Sequence, residues 1–152
     1  MIKRLVARTL QGYWRMSRGL TMGAQGVVFD RAGRVVLVRH TYRAGWHFPG
    51  GGVERNELAE VALKRELAEE ANVHLAGRAE LFGLYGNFKA FPSDHIALFV
   101  VREFDQPNLP NPNVEIAECQ WFAVDALPDS VVQPVRDRLA EICDRRPQSP
   151  TW

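Results

Sequence analysis

Apolar and polar positions alternate along the chain with two distinct periods. Ile2, Leu5, Val6, Tyr13 and Met16 recur at spacings near three and four, with Lys3, Arg4, Arg8, Gln11 and Arg15 largely between them. That pattern predicts an N-terminal helix over residues 1–18. Gly23–Phe29 and Arg34–Arg39 are short, apolar and β-branched, and the turn Asp30-Arg-Ala-Gly33 between them reads as a hairpin. Gly45–Val53 reads as a strand running into a glycine loop. Asn56–Ala71 is rich in Ala, Leu, Glu, Lys and Arg, with no Gly or Pro inside, which predicts a helix. Asn56 is the expected N-cap, and Glu57 and Glu60 suit the positive end of the helix dipole. Further strands are expected at Glu80–Tyr85, His95–Glu103 and Cys119–Ala123, and a loop of turn formers at Pro107–Asn113. A closing helix begins at Ser130 and runs to Asp144–Arg146, with Pro134 near its start. Strands interleaved with helices in this order predict one mixed α/β domain over residues 1–152, with helices on the sheet faces.

Composition narrows the class without naming a function. A chain of 152 residues, 46% hydrophobic and 24% charged, can bury a sizeable core. The formal net charge of +1 speaks against nucleic acid or an anionic membrane as a partner of the whole chain. The charge is uneven, however. Residues 1–29 hold Lys3, Arg4, Arg8, Arg15 and Arg18 and no acid. The favoured reading is the outer face of a packed helix; a surface for a phosphate-bearing partner and a transit segment are the alternatives. Cys119 and Cys143 lack metal-ligand spacing and read as reduced thiols. No apolar run reaches the ~20 residues that span a bilayer. The expected location is cytoplasmic, with no membrane partner.

The chemistry concentrates in Arg65-Glu66-Leu67-Ala68-Glu69-Glu70. Helical positions three and four apart share a face, so Glu66, Glu69 and Glu70 should cluster. Three carboxylates so close repel one another unless a positive charge intervenes. Mg²⁺, which prefers carboxylate and water oxygens, is the natural candidate; a solvated acidic helix face is the other reading. Pro49-Gly50-Gly51-Gly52 lies one short turn upstream. Glycines let a backbone approach a metal or phosphate closely, and the Lys-Ser/Thr ending of a Walker loop is absent.

Taken together, Gly51, five residues, Glu57, seven residues and then Arg65-Glu66-Leu67-x-Glu69-Glu70 closely resemble the Nudix hydrolase signature. The resemblance spans Gly51 to Val73. It extends more weakly from the hairpin near Gly26 to Trp121-Phe122 and Leu127-Pro128. Asn72 stands where that family usually has glycine. The expected demand there is a left-handed residue ending the helix, and Asn meets it best after glycine.

The resemblance implies an α/β/α sandwich around a mixed sheet. It implies that Glu66, Glu69 and Glu70 bind Mg²⁺, with Mn²⁺ as a substitute and the carbonyl of Gly50 or Gly51 as a further ligand. Glu57 and Arg65 would hold the loop against the helix. Glu115, with Glu118 second, matches a further acid that serves as ligand or base, and the general base would be Glu69 or Glu115. The implied activity is cleavage of a phosphoanhydride bond in a small nucleotide: a nucleoside triphosphate or a nucleotide sugar such as ADP-ribose. A non-catalytic nucleotide-sensing domain would be expected to lose a metal carboxylate. An RNA 5′-end pyrophosphohydrolase has only the basic N-terminus in its favour, and an isomerase on a related fold would need a reactive thiol. A homodimer is compatible with the sequence. Trp46 and His47 precede the glycine loop, and Phe88, Phe91 and His95 lie near the later strands. An aromatic ring there could stack on a base, but core or rim packing is the favoured reading for each, and Asp94-His95 could contact phosphate or cap a strand.

Overall fold

Residues 18–152 are described by a computed structural model, so the N-terminal helix expected over 1–18 and its basic face lie outside the described residues. The apolar runs form strands β1 (Thr21–Val28), β2 (Val35–His40), β5 (Glu80–Gly86), β6 (Asp94–Val101) and β8 (Ile116–Phe122). Shorter strands are β3 (Gly50–Gly52), β4 (His74–Leu75) and β7 (Phe104–Asp105); the helices are α1 (Ala59–Ala71) and α2 (Gln133–Cys143). A four-stranded mixed sheet runs β3-β1-β6-β5, with β1 and β6 parallel and the outer pairs antiparallel. The pairs β2-β8 and β4-β7 stand beside it.

Period-two alternation explains the layers. Ala97, Phe99 and Val101 face one core with Val36, Val38 and the α1 residues Ala62, Leu63 and Leu67. Leu98 and Val100 face the other core, with Val35, Leu37, Phe48 and the α2 residues Val135 and Leu139. Each central strand is covered on both faces, which is why these segments read as unbroken apolar runs. The result is the α/β/α sandwich that the sequence predicts.

The hairpin is only half realised. Its turn forms: the Asp30 carboxylate accepts the Ala32 and Arg34 amides at 2.9 and 2.8 Å. After the Phe29–Val35 bridge the strands part, β1 pairing with β3 and β6 and β2 with β8. Both strands are apolar on both faces, so neither needs the other to cover a side.

Helix α1 starts three residues late. Asn56 adopts a left-handed turn at φ 63°, and the N-cap is Leu58, which gives no side-chain cap. Glu57 is the cause. Its carboxylate accepts the Glu54 amide at 2.8 Å and binds Arg65, which holds the segment in a turn. Helix α2 likewise begins at Gln133 rather than Ser130, with Pro134 in its first turn, and ends at Cys143.

At the other end of α1, Asn72 is left-handed, φ 52° and ψ 33°. The Asn72 amide donates to Ala68 O and the Val73 amide to Leu67 O, closing the last turn. The Asn72 side chain adds a bond from Nδ2 to Asn108 O at 2.9 Å. Asn72→Gly relieves the Cβ penalty but loses this exposed hydrogen bond, so its melting free energy should stay within about 1 kcal/mol of the parent. Asn72→Val should cost roughly 1–2 kcal/mol, because a β-branched residue resists that backbone angle. Thermal melting of the two variants checks this; equal tolerance of valine and glycine would contradict it.

Candidate active site

The site is built where α1 lies across the glycine strand. β3 pairs with β1 through Gly52–Gly23, Gly51–Ala24 and Gly50–Gln25. Gly50 has φ +148°, and a Cβ there would collide with the Ala24 carbonyl. A Cβ on Gly51 would fall 2.5 Å from the Glu66 carboxyl carbon. Glycine at both positions therefore lets the carboxylates of α1 rest on strand backbone.

Glu70 is buried, and its Oε2 accepts the Gly50 amide at 2.9 Å. Burial, with Glu66 and Glu115 nearby, pushes its carboxyl up to about 8, against the pull of the Gly50 amide. Burial also raises Glu66 above the usual carboxylate range. Arg65 clamps the outer side. Its guanidinium donates to both oxygens of Glu57 at 3.2 and 3.1 Å, to the Gly52 carbonyl at 3.1 Å, and to Glu66. Glu69 turns away to solvent: its side chain is 62% exposed, with one oxygen 3.8 Å from Arg65.

The remaining groups come from strand ends. The pairing of β2 with β8 slips between Arg39 and His40, so that Arg39 meets Glu118 while His40 meets Ile116. Glu118 is ion-paired to Arg39. The loop before β8 is pinned: Thr41 N–H donates to Glu115 O at 2.9 Å, and the Asn113 side chain accepts the Glu115 and Ile116 amides. Ligand atoms of His40, Glu70 and Glu115 then lie within 4.8 Å of one another. His40 Nδ1 is buried without a hydrogen-bond partner among the described residues, 3.6 Å from Glu70 Oε1. Burial, then Arg43 and His47, lowers the His40 ring to about 4. A carboxylate-rich donor set with an orphaned buried polar atom fits a divalent cation.

A cleft of about 680 Å³ opens beside this group, lined in part by Arg39, His40, Tyr42, Arg43 and Trp46.

The NUDIX domain family model matches residues 19–142. An 8-oxo-dGTP diphosphatase of Proteus vulgaris is 34% identical over 87 residues, 53% of this chain and 75% of that protein. The chain belongs to the Nudix family. An RNA pyrophosphohydrolase of Caulobacter vibrioides is 48% identical over 60 residues. That stretch is 36% of this chain and 35% of the relative, so the chain spans about a third of that protein's length. The crystal structure of a MutT NUDIX hydrolase from Burkholderia pseudomallei superposes with a TM-score of 0.68 at 25% identity. It covers 80% of this chain and 97% of that one.

Within this Nudix fold, the sequence-derived residues separate. Glu66, Glu70, Gly50, Gly51 and Glu115 converge, Glu57 and Arg65 brace them from outside, and Glu69 stands at the rim. Sequence reasoning missed His40 and Arg43. The one available signal was alternation, which puts His40 in phase with Val36 and Val38, and it gives no partner for the ring. Three of the other candidates have partners within the fold. Trp46 is buried against Phe122 at 4.9 Å between ring centroids, and His95 meets Phe88 at 5.3 Å. Asp94 accepts from Thr21 and Asn87 at 2.7 Å each. Burial pushes the Cys119 thiol up to about 12, so it offers no thiolate at neutral pH for isomerase chemistry. No helix among the described residues is long and apolar enough to cross a membrane.

The two glycines should respond differently to alanine. Gly51→Ala meets only the end of the Glu66 side chain, so melting should shift little while the divalent-metal requirement rises several-fold. Gly50→Ala meets backbone at a forbidden angle and should cost about 1–3 kcal/mol of stability. Melting curves and metal titrations of both variants check this; an unchanged melt for Gly50→Ala would contradict the geometry.

Proposed function

We propose that this Nudix domain hydrolyses a phosphoanhydride bond in a small nucleotide, a nucleoside triphosphate or a nucleotide sugar such as ADP-ribose, with Mg²⁺ or, in its place, Mn²⁺. The observation that carries the proposal is the buried Glu70 carboxylate, anchored to the Gly50 amide with Glu66 and Glu115 beside it. Burial works against the charged form of Glu70, and a cation beside it would restore that form. Glu66, Glu70, Glu115 and the Gly50 or Gly51 carbonyl would hold it, with Glu69 as a ligand from the rim. When bound, the ion neutralises phosphate charge and lowers the pKa of bound water.

The protein's own groups supply position and proton transfer. Arg65 and Glu57 fix the Glu66 carboxylate and the glycine strand in one arrangement. Glu115 is the proposed general base, because its exposed carboxylate stands next to Glu70 on a loop pinned by Asn113 and Thr41. Glu69 points away to solvent with one oxygen 3.8 Å from Arg65, so it is the less well placed of the two. A cytoplasmic location, where nucleotide substrates are found, belongs to the same reading.

The similarity to an RNA pyrophosphohydrolase favours a second reading, in which the substrate is a 5′-triphosphorylated RNA. A panel of nucleoside triphosphates, ADP-ribose and triphosphorylated RNA, assayed with Mg²⁺ or Mn²⁺ for released phosphate, pyrophosphate and monophosphate, separates the two. A sensing domain would release none of these.

Glu70→Gln and Glu115→Gln should each lower turnover on the best substrate by ~10² or more, as expected for groups acting at the reacting centre. Glu69→Gln should stay within ~10-fold, a smaller loss than removal of a general base brings. Steady-state kinetics across pH check this. A Glu115→Gln enzyme within a few-fold of the parent, with Glu69→Gln severely impaired, would transfer the base to Glu69.

A further inference from the structure

His40 is absent from the carboxylate signature, yet the fold buries it against Glu70. Its two ring nitrogens have different surroundings. Arg43 Nη2 lies 2.9 Å from His40 Nε2. A guanidinium only donates, so Nε2 must present its lone pair. The ring is then neutral and its one proton sits on Nδ1. That atom is buried, has no hydrogen-bond partner among the described residues, and faces Glu70 Oε1 at 3.6 Å.

We infer that His40 is a positioning residue for Glu70: Arg43 fixes its tautomer, and the Nδ1–H it thereby presents orients the carboxylate towards the metal. The Gly50 amide holds Glu70 at Oε2, and the imidazole Nδ1 faces its other oxygen, Oε1, across 3.6 Å. At 3.6 Å this contact is longer than a formed hydrogen bond, and a small rotation of the Glu70 carboxylate would close it. The competing role, His40 as a third ligand beside Glu70 and Glu115, needs a lone pair on Nδ1. It would put an Nε2–H against the Arg43 donor, two donors 2.9 Å apart. The inference rests on the reading of Glu70 as a metal ligand.

The tautomer can be read without metal. In long-range ¹H–¹⁵N spectra of the metal-free protein, His40 should show the Nδ1–H pattern, against the preference of a free imidazole. Arg43→Ala should move it towards Nε2–H. An Nε2–H pattern in the parent would overturn the inference. The metal arm uses Mn²⁺ binding followed by electron paramagnetic resonance. His40→Leu should weaken binding by ~10–100-fold, the usual range for a group that orients a ligand. His40→Asn places an amide donor near the Nδ1 position and should remain within a few-fold of the parent. Equal weakening in both variants would assign His40 as a ligand or as packing, and no weakening in either would remove its role. Should His40→Leu fail to fold, the parent spectrum and the His40→Asn titration still decide. If the parent itself bound no Mn²⁺, the metal reading would fall and this role with it, whereas a wrong tautomer would overturn the His40 inference alone.

Discussion

The hydrogen bond from the Gly50 amide to the buried Glu70 carboxylate, 2.9 Å long, is the point on which the rest of the site depends. It fixes the distance between α1 and β3. Leu63 and Leu67, fully buried on the inner side of α1, set the helix against the sheet. The Arg65 guanidinium, reaching Glu57, Glu66 and the Gly52 carbonyl, closes the outer side. The glycines follow from this approach, since a side chain at Gly50 meets backbone and one at Gly51 meets the Glu66 carboxyl.

The same arrangement carries an electrostatic cost. Removing a carboxylate from water costs several kcal/mol even after relaxation, whereas an ion pair open to solvent, such as Arg65 with Glu69, contributes about 0–1 kcal/mol. Arg65 cannot offset the burial of Glu70, and the Gly50 amide does so only in part: the carboxyl still stands at about 8. A divalent cation supplies the missing charge in the proposed function. His40, neutral and buried on the other side, adds a dipole rather than a charge. On that reading, stability of the isolated fold is given up locally for a place where a cation would bind.

The layers, the helix that carries the carboxylates and its left-handed end at Asn72 were legible in the sequence. Each rests on a local rule: unbroken apolar runs for strands covered on both faces, helix formers without Gly or Pro, and Asn as the residue after glycine that accepts positive φ. The parting of β1 from β2 was not legible, because a turn signal says nothing about which partner a strand takes beyond it. The helix start was misread for a related reason: Glu57 is held by Arg65, eight residues on, and that long-range pair overrides the local capping preference of Asn56. Among the site residues, helical spacing grouped Glu66 with Glu70, and their proposed role came from the family resemblance. Glu69 could not be separated from them, since spacing does not reveal which side of the patch the sheet covers. His40 depends on the slipped register between β2 and β8, which no local pattern encodes.

Diffraction from crystals soaked in Mn²⁺, recorded near its absorption edge, tests the central claim most directly. An anomalous peak is expected between Glu66, Glu70 and Glu115 against the glycine strand, at coordination distance, about 2.1 Å for a hard divalent ion, from a Glu70 oxygen. A fully ordered Glu70 still bonded to Gly50 with no peak beside it, or a peak held only by exposed carboxylates elsewhere on α1, would contradict the account.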